Sequence, residues 1–577
     1  MFISIKKIAL IAMCCTVSMI TAQNNRGKDT LDTQVVNVVK PYAPKISDAF
    51  KVKEIPTIDD AQTATKKEVK YNIFSIPVAS TFTPAKARAA TVEKAKKEIL
   101  HDNFLSFGGG SYTSLLGELY LNHAINRTEN VGGYVSHHSS QGGIEGVPLD
   151  DDFSDSRITI NYSKSLSDYA WNVDAGYQHR AFNWYGIPDI YTPEEQDMIS
   201  PKHRFHMFNF GGEIEFDNST INNGDVRFRR FADGMESGEN RFIFNTNFDV
   251  PLTTGSINTS LKFDYLKGEF DRRYLVPINI NYGNYQIGVA PSYQIIQDDL
   301  TLNLGVSVYY LNDTELNDSK FYIYPKVTAS YRVATDVLIA YGGIEGDLIQ
   351  NSYYGFANEN PYVSPTLMIM PTDQQYDAYI GLKGKLSNSM SYNIRGKYQA
   401  ANDQALFLSN PALTDTANNE DYQYGNSFGI VYDDVDTFSI FGELNLDLNR
   451  NFTFGIQAEY FSYSSENEEE AWNLPDFEAS LFMDYQISDK WFAGASLFYI
   501  GERFDQMSVD PLLAVPPTTM VLDSYFDANA HVGYRINDRW SVYLKGNNLA
   551  NQAYDRWLNY RVQSLQILGG ATYKFDF

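Results

Sequence analysis

The end of the chain constrains the fold most, because apolar and polar residues alternate there over two strand-length stretches. From Trp540 to Lys545 every second residue is apolar, and after a polar break at 546–551 the alternation resumes and runs to Phe577. A β-strand turns successive side chains to opposite faces, so each stretch has one apolar and one polar face. A strand between lipid and a wet lumen needs this division. The sequence therefore predicts an all-β fold, a transmembrane antiparallel β-barrel that closes with the hairpin Asn537–Phe577.

Short polar turns, most of them followed by an aromatic residue, recur along the chain from Asn103 onwards. Such turns are typical of the short-turn end of a barrel, where aromatic residues form an interfacial girdle. Ten hairpins, a first strand near 103–112 and a last strand at 563–577 predict about 22 strands, within a range of about 20–22. The predicted turns lie at 126–129, 166–169, 218–224, 252–255, 297–299, 333–336, 386–389, 448–452, 487–491 and 536–540.

The last two predicted strands resemble those of TonB-dependent receptors. The resemblance rests on Leu544–Tyr554, with the sequence LKGNNLANQAY, and on Tyr573-Lys574-Phe575 near the terminus. It implies a large barrel that imports scarce nutrients across the bacterial outer membrane, and it does not identify the solute. The alternate aromatic residues Tyr573, Phe575 and Phe577 are predicted to face lipid and to form the assembly signal for the barrel-assembly machinery.

The first residues, 1–22, are predicted to be a secretory signal peptide. Lys6 and Lys7 precede an apolar centre from Ile8 to Ile20, and small residues stand before Gln23. Both cysteines, Cys14 and Cys15, lie in this segment. A lipoprotein would use one of them as its acylated residue, but Met13 is larger than the residue that usually precedes such a cysteine. Without them the mature chain has no disulfide and no cysteine metal site.

Residues 23–102 are predicted to be a basic, largely extended periplasmic arm, and residues 103–577 to be the barrel. Residues 23–100 contain 14 Lys+Arg and 9 Asp+Glu, whereas 101–577 contain 30 and 62. The resemblance would place a full plug domain between arm and barrel, yet the arm is short and lacks the apolar periodicity of a packed domain. The plug is therefore predicted to be missing or reduced. The opposite charges favour entry of the arm into the lumen, as a substitute stopper.

One piece of the arm, Asp32–Val39, resembles the energy-coupling box of TonB-dependent receptors. Such a box is a mobile strand that pairs with a periplasmic partner, here TonB or another envelope protein. The alternative is an ordinary β-prone stretch in a flexible arm. The residues that would carry the coupling are Asp32, Thr33, Val35 and Val36.

Five acidic residues share the polar register on neighbouring predicted strands near the end of the chain. A lumen wall of this kind would concentrate cations, unless the carboxylates pair with lysines of the arm. The five predicted lumen carboxylates are Glu443, Asp447, Glu459, Glu478 and Asp484.

The long connections alternate with the short turns and are acidic, as at 150–155, 188–197, 351–374, 401–423 and 465–470. Loops of this length often carry recognition. The alternative is an acidic surface that divalent cations bridge to outer-membrane lipid and lipopolysaccharide.

No catalytic or metal-binding motif is predicted, no cofactor is implied, and no basic surface for nucleic acid occurs in the barrel. His137 and His138 lie near three serines in what reads as a glycine-rich loop without an orienting acid. His203 and His206 are three apart in a predicted strand, which points them to opposite faces. The chain is therefore predicted not to be an enzyme.

Two function classes remain. The first is an outer-membrane transport barrel that passes or imports a small solute. The second is a structural or assembly subunit that holds other envelope proteins together. In either class both chain ends are predicted to be periplasmic. A barrel of about 22 strands leaks unless the arm, the loops or a partner fills it.

Overall fold

A computed structural model describes residues 101–577, except 218, 253–254, 416–417, 450 and 512–514. Within this part 22 strands form one antiparallel sheet. The first strand pairs with the last, from Asn103 against Phe575 to Gly110 against Leu568, so the sheet closes on itself. The predicted fold class and strand number are confirmed. The leader, the arm with its proposed box at Asp32–Val36, and the question of a plug lie outside the described residues.

The strands are numbered in chain order. They are β1 (Asn103–Gly110), β2 (Ser114–Ala124), β3 (Glu129–Ser140), β4 (Phe153–Ser165), β5 (Tyr169–Asn183), β6 (Lys202–Phe216), β7 (Ile221–Asp233), β8 (Gly238–Leu252), β9 (Gly255–Phe270), β10 (Ile280–Gln297), β11 (Leu300–Asp313), β12 (Asp318–Ala334), β13 (Leu338–Ile349), β14 (Thr372–Ser387), β15 (Met390–Ser409), β16 (Phe428–Asn449), β17 (Phe452–Ser465), β18 (Phe477–Gln486), β19 (Trp491–Ile500), β20 (Arg503–Met507), β21 (Thr518–Leu522), β22 (Tyr525–Arg535), β23 (Trp540–Asn547), β24 (Asp555–Trp557), β25 (Tyr560–Arg561) and β26 (Gln566–Phe575).

Four of these strands lie outside the barrel sheet. β20 pairs with β21 and β24 pairs with β25, each as a small hairpin within a long loop. The helices are a 3₁₀ turn (Ser111–Thr113), α1 (Pro193–Gln196) and α2 (Tyr353–Glu359). None of the described helices is long and apolar enough to span a membrane.

The connections at the two ends of the barrel differ in length. All ten predicted short turns lie at one end, together with Asn103 and Phe575; we call this the turn end. The turn predicted at 218–224 is shorter, because β7 already begins at Ile221. The other end carries the long loops and is called the loop end. Residues 401–409, predicted as loop, extend β15, whereas the long loops 501–524 and 548–565 were not predicted.

Side chains alternate between the two faces of the wall as the sequence predicts. On β6 the exposed residues Arg204, His206, Phe208 and Phe210 alternate with buried ones such as Phe205. Apolar side chains on the outer face remain exposed in the isolated chain, as for Ile440 (50%). An apolar band of this kind is what lipid covers in a membrane barrel.

Candidate functional site

The loops at the loop end pack against one another. Five of them contribute buried apolar residues to one cluster that also includes residues at the loop ends of the strands. We call this arrangement the loop seal, formed by loops 141–152, 184–201, 350–371, 410–427 and 548–565. The largest fully buried side chains of these loops are Trp184, Tyr353, Leu367, Tyr422 and Tyr560. The strands contribute the equally buried Phe205, Phe231, Leu266, Phe270 and Phe428 to the same cluster.

Three tyrosines from three different loops meet in the seal. Tyr362 stacks on Tyr560 with ring centroids 3.7 Å apart, and Tyr185 contacts Tyr560 edge-on at 4.8 Å. The hydroxyl of Tyr185 donates to the backbone oxygen of Arg561 at 2.8 Å. The Tyr560 hydroxyl donates to the backbone oxygen of Asn426 in a fourth loop. Tyr185 and Tyr560 are thus each packed through the ring and hydrogen-bonded through the hydroxyl, as a buried tyrosine requires.

Some contacts of the seal span the lumen. Tyr191 belongs to the loop between β5 and β6, and Leu413 to the loop between β15 and β16. These strand pairs lie nearly opposite each other in the ring. The Tyr191 hydroxyl donates to the Leu413 backbone oxygen at 2.9 Å, and the Asn426 amide donates to the Trp184 oxygen at 2.9 Å. The two sides of the mouth are therefore joined directly.

Helix α2 fixes one loop of the seal to the inner wall. Ser352 caps the helix by accepting a hydrogen bond from the Gly355 amide at 3.0 Å. The Tyr353 amide donates to Glu239 at 2.6 Å, and the Tyr353 hydroxyl donates to Asp233 at 2.7 Å. Both carboxylates lie at the loop ends of strands, on β8 and β7. They give the helix a defined position instead of a purely apolar contact.

Two carboxyl groups in the loops have pKa values above the ordinary values for Glu and Asp. Burial raises the pKa of Glu359, at the end of α2, to about 7. Burial also raises the pKa of Asp505, in β20, to about 6, although hydrogen bonds from Asn473 and the Ser409 amide oppose the shift. Asp505 ties loop 501–524 to Ser409 and Asn473, whereas Glu359 lies in the seal itself, so the seal contains one carboxyl whose charge depends on pH near neutrality.

The loops were one of three predicted ways of filling the barrel, but their packed aromatic core was not predicted, because the sequence assigns the aromatic residues to lipid faces and girdles. The loops contain aromatic clusters that do not alternate, at 184–185, 353–356 and 557–560. Such clusters indicate a packed core instead of a strand face. They are the signal that could have revealed the seal.

The five predicted lumen carboxylates lie on the inner face of three adjacent strands. In β16–β18 Glu459 stands opposite both Phe441 and Glu478, and Thr453 stands opposite both Asp447 and Asp484. Ser439 donates to Glu459 at 2.7 Å, and Asn445 donates to Glu443 at 2.7 Å. Arg395 approaches Glu459 at 4.0 Å. The predicted preference for cations stays a prediction.

Three basic side chains on the inner face of β7–β9, nearly opposite that acidic stripe, have acidic partners. Arg241 makes two hydrogen bonds to Asp264, at 2.9 and 2.6 Å, and Lys262 lies 3.9 Å from the same carboxylate. Arg227 lies 3.5 Å from Asp174. The lumen therefore has a compensated wall and a wall dominated by carboxylates.

The four histidines considered in the sequence analysis lie on strands. His137 and His138 were predicted in a loop, but both belong to β3; that prediction is wrong, because the strand continues to Ser140. His137 contacts Ser156 at 2.8 Å and Ser139 at 3.0 Å through its two ring nitrogens. His203 and His206 point to opposite faces, and His203 stacks on Trp184 at 4.0 Å. Residues 101–577, apart from the few undescribed positions, contain no cluster of three or more potential metal ligands.

The predicted assembly signal lies at the closing strand. Tyr573 packs on Trp540 at 4.6 Å, and Phe575 ends β26. Phe577 lies beyond the strand and is 83% exposed. The Asp576 carboxylate accepts a hydrogen bond from the Asp102 amide at 3.0 Å. This bond joins the chain just before the first strand to the chain just after the last strand.

Comparison with solved structures shows that several bacterial receptors and transporters share the fold of this barrel. The ferric-catecholate import receptor Fiu from E. coli K12 aligns with a TM-score of 0.61 and 14% identity, over 83% of this chain and 82% of that chain. The FrpB iron transporter of Neisseria meningitidis gives 0.61 and 10%, over 83% and 82%. FpvA of P. aeruginosa, bound to heterologous pyoverdines, gives 0.61 and 13%, over 83% and 72%.

Sequence comparison adds nothing to this likeness. No family model and no curated protein matches the chain. The likeness therefore shows a shared barrel fold, at 10–14% sequence identity.

Proposed function

We propose that this protein is an outer-membrane transport barrel that passes a small solute and is held shut at rest by its loop seal. The observation that supports the proposal is a barrel of 22 strands whose loops are hydrogen-bonded to each other from nearly opposite sides of the ring. Barrels of this strand number enclose a lumen that is plugged in transporters. The solved barrels that share the fold include a protein described as an import receptor.

The lumen wall suits a polar solute. The acidic stripe on β16–β18 faces a wall on β7–β9 whose charges are compensated, so the potential across the lumen is uneven. A low-dielectric wall lined by one sign of charge concentrates solutes of the opposite sign. A cation or a zwitterion would fit this lumen better than an anion.

Opening the seal needs an energy input. Burying one large apolar side chain contributes about 1.5–3 kcal/mol, and five large side chains of the seal loops are almost completely buried. Exposing all five would cost on the order of 10 kcal/mol, which thermal motion does not supply. A transport cycle therefore needs a ligand or an energised partner. Pairing of Asp32–Val36 with TonB would provide one, and it is part of the proposal.

The extent of the seal also favours a second candidate, a structural or assembly subunit. A barrel that never opens can hold envelope proteins together without leaking. The loops would then be a permanent wall, and loss of the protein would release its partners from the membrane.

A disulfide that fastens loop 410–427 of the seal to the neighbouring loop 501–524 separates the two candidate functions. Ala412 and Val509 are bridge partners from two different loops, which places their backbones within reach of a disulfide. The variant Ala412→Cys/Val509→Cys should reproduce the growth defect of a deletion strain if the protein transports, and a reductant should restore growth. The single variant Ala412→Cys is the control. If the oxidised variant behaves as wild type while deletion releases copurifying partners, the transport proposal is wrong and the structural role stands.

A further inference from the structure

The outer face of the barrel carries a basic patch on β3–β7, near the loop end. Lys202, Arg204 and Arg230 are exposed there, and no ion pair joins them to any described carboxylate. Three histidines lie among them. We call these six residues the outer basic patch: His137, His179, Lys202, Arg204, His206 and Arg230.

The strand register brings the patch together. His137 is paired with Ser156, Ser156 with His179, and His179 with His206, so a row of three histidines and one serine crosses four strands. The rings of His179 and His206 are 4.9 Å apart, and the Tyr177 hydroxyl lies 2.8 Å from His206 Nδ1. Neighbouring strands are about 4.8 Å apart, so the row is about 15 Å wide.

The three fixed cations flank this row. Arg204 and Lys202 lie on the same face of β6 as His206, closer to the loop end. Arg230 on β7 is paired with Phe208, two residues below His206. The patch therefore presents donors and positive charges in one area of the outer wall.

The surroundings of the patch indicate its ligand. Directly below the histidine row, at the level of Arg230 and further towards the turn end, the outer face becomes apolar. Ile158 is 47%, Ile160 59%, Phe208 48% and Phe210 49% exposed there. Above it, loops 141–152 and 184–201 contain eight acidic residues and no basic one. The positive charges are thus concentrated at the border of the lipid-facing band. That border is where lipid headgroups lie.

We propose that the outer basic patch binds the phosphate of an anionic lipid in the leaflet at the loop end, with the acyl chains on the aromatic and aliphatic side chains below. Arginine and lysine donate charge-assisted hydrogen bonds to phosphate oxygens, and the histidine and serine row supplies further donors. This contact is direct and does not need the divalent cations that an acidic loop surface would require.

The purified protein in neutral detergent tests this by native mass spectrometry with added lipid A as the probe. Wild type should bind lipid A, and the variant Lys202→Gln/Arg204→Gln/Arg230→Gln should bind it at least about tenfold more weakly. Phosphatidylcholine should not bind. EDTA should leave binding unchanged, since no divalent cation takes part.

Lys164→Gln is the matched control, because Lys164 lies on the outer face of β4 near the turn end and is paired with Glu129 at 2.7 Å. It should bind lipid A as wild type does. Heat-modifiable migration shows that each variant is folded. Equal binding by the triple variant, or release by EDTA, would overturn the proposal. Full competition by inorganic phosphate would show a free-phosphate site instead of a lipid site.

Discussion

The hydroxyl of Tyr191 donates a hydrogen bond to the backbone oxygen of Leu413 at 2.9 Å, although their loops start from nearly opposite sides of the barrel. Such a bond can form only if both loops fold inward over the lumen. The loop end is therefore a packed structure with its own core, and several properties of the protein depend on that core.

Replacing Tyr560 by alanine should loosen the seal. The side chain is 1% exposed, stacks on Tyr362 and donates to Asn426. Truncating a buried aromatic residue to alanine costs about 3–5 kcal/mol. We expect faster hydrogen exchange in loops 184–201 and 350–371, and measurable conductance in planar bilayers where wild type is silent.

Tyr331→Ala is the control for this change, because Tyr331 is 51% exposed on the outer face of β12. It should alter neither exchange nor conductance. If Tyr560→Ala exchanges and conducts as wild type does, the packing of these loops is not what closes the barrel.

The barrel was predictable from the sequence and the seal was not, for a physical reason. A strand repeats every two residues, so Trp540–Lys545 and the ten turns show their role locally. The contacts of Tyr191 with Leu413, or Tyr185 with Tyr560, join residues hundreds of positions apart through irregular backbone. No local period encodes them. Only the non-alternating aromatic clusters indicate that the loops are packed.

The seal should be less stable at neutral than at mildly acidic pH. Burial raises the pKa of Glu359 to about 7, so the folded seal holds a proton that the unfolded loop, with an ordinary pKa near 4.5, has lost. Stability is therefore lost as pH rises from about 4.5 to about 7, by at most about 1.4 kcal/mol per pH unit for this group. In the neighbouring loop 501–524, Asp505 has a pKa raised to about 6 and should affect the stability of that loop in the same direction.

Urea unfolding of the loops, followed by the fluorescence of the buried Trp184, Trp472 and Trp557, measures this effect. The midpoint should be higher at pH 5 than at pH 7.5. Glu359→Gln should reduce the difference by raising the midpoint at pH 7.5. An unchanged pH dependence in that variant would exclude Glu359 as the source.

The acidic stripe should make an opened barrel prefer cations. In the Tyr560→Ala background, reversal potentials should show that potassium permeates better than chloride, because the carboxylates of β16–β18 set the sign of the lumen potential. Glu443→Gln/Glu459→Gln/Glu478→Gln should weaken the preference, whereas Glu470→Gln in an acidic loop should not. A preference for chloride would contradict this assignment.

Removing the last three residues, 575–577, should impair membrane insertion. Phe575 pairs with Asn103 at the closure, and Asp576 accepts a hydrogen bond from the Asp102 amide. The truncated protein should lose heat-modifiable migration. Asp576→Asn keeps the aromatic residues and should still insert. This control separates the effect of the proposed assembly signal from that of the hydrogen bond between Asp102 and Asp576. Normal migration of the truncation would exclude Phe575 and Phe577 from assembly.

Deleting residues 24–100 tests whether the basic arm is a second barrier. The sequence predicts that the arm, with 14 Lys+Arg and 9 Asp+Glu over 23–100, is drawn into the acidic lumen. Because the loop seal already closes one end, two barriers would act in series, and removing one leaves the other. We therefore expect the deletion alone to conduct as little as wild type. The deletion combined with Tyr560→Ala should conduct more than Tyr560→Ala alone, and added salt should narrow that gap, since it screens the attraction between arm and wall. High conductance after the deletion alone would show that the arm, and not the seal, keeps the barrel shut.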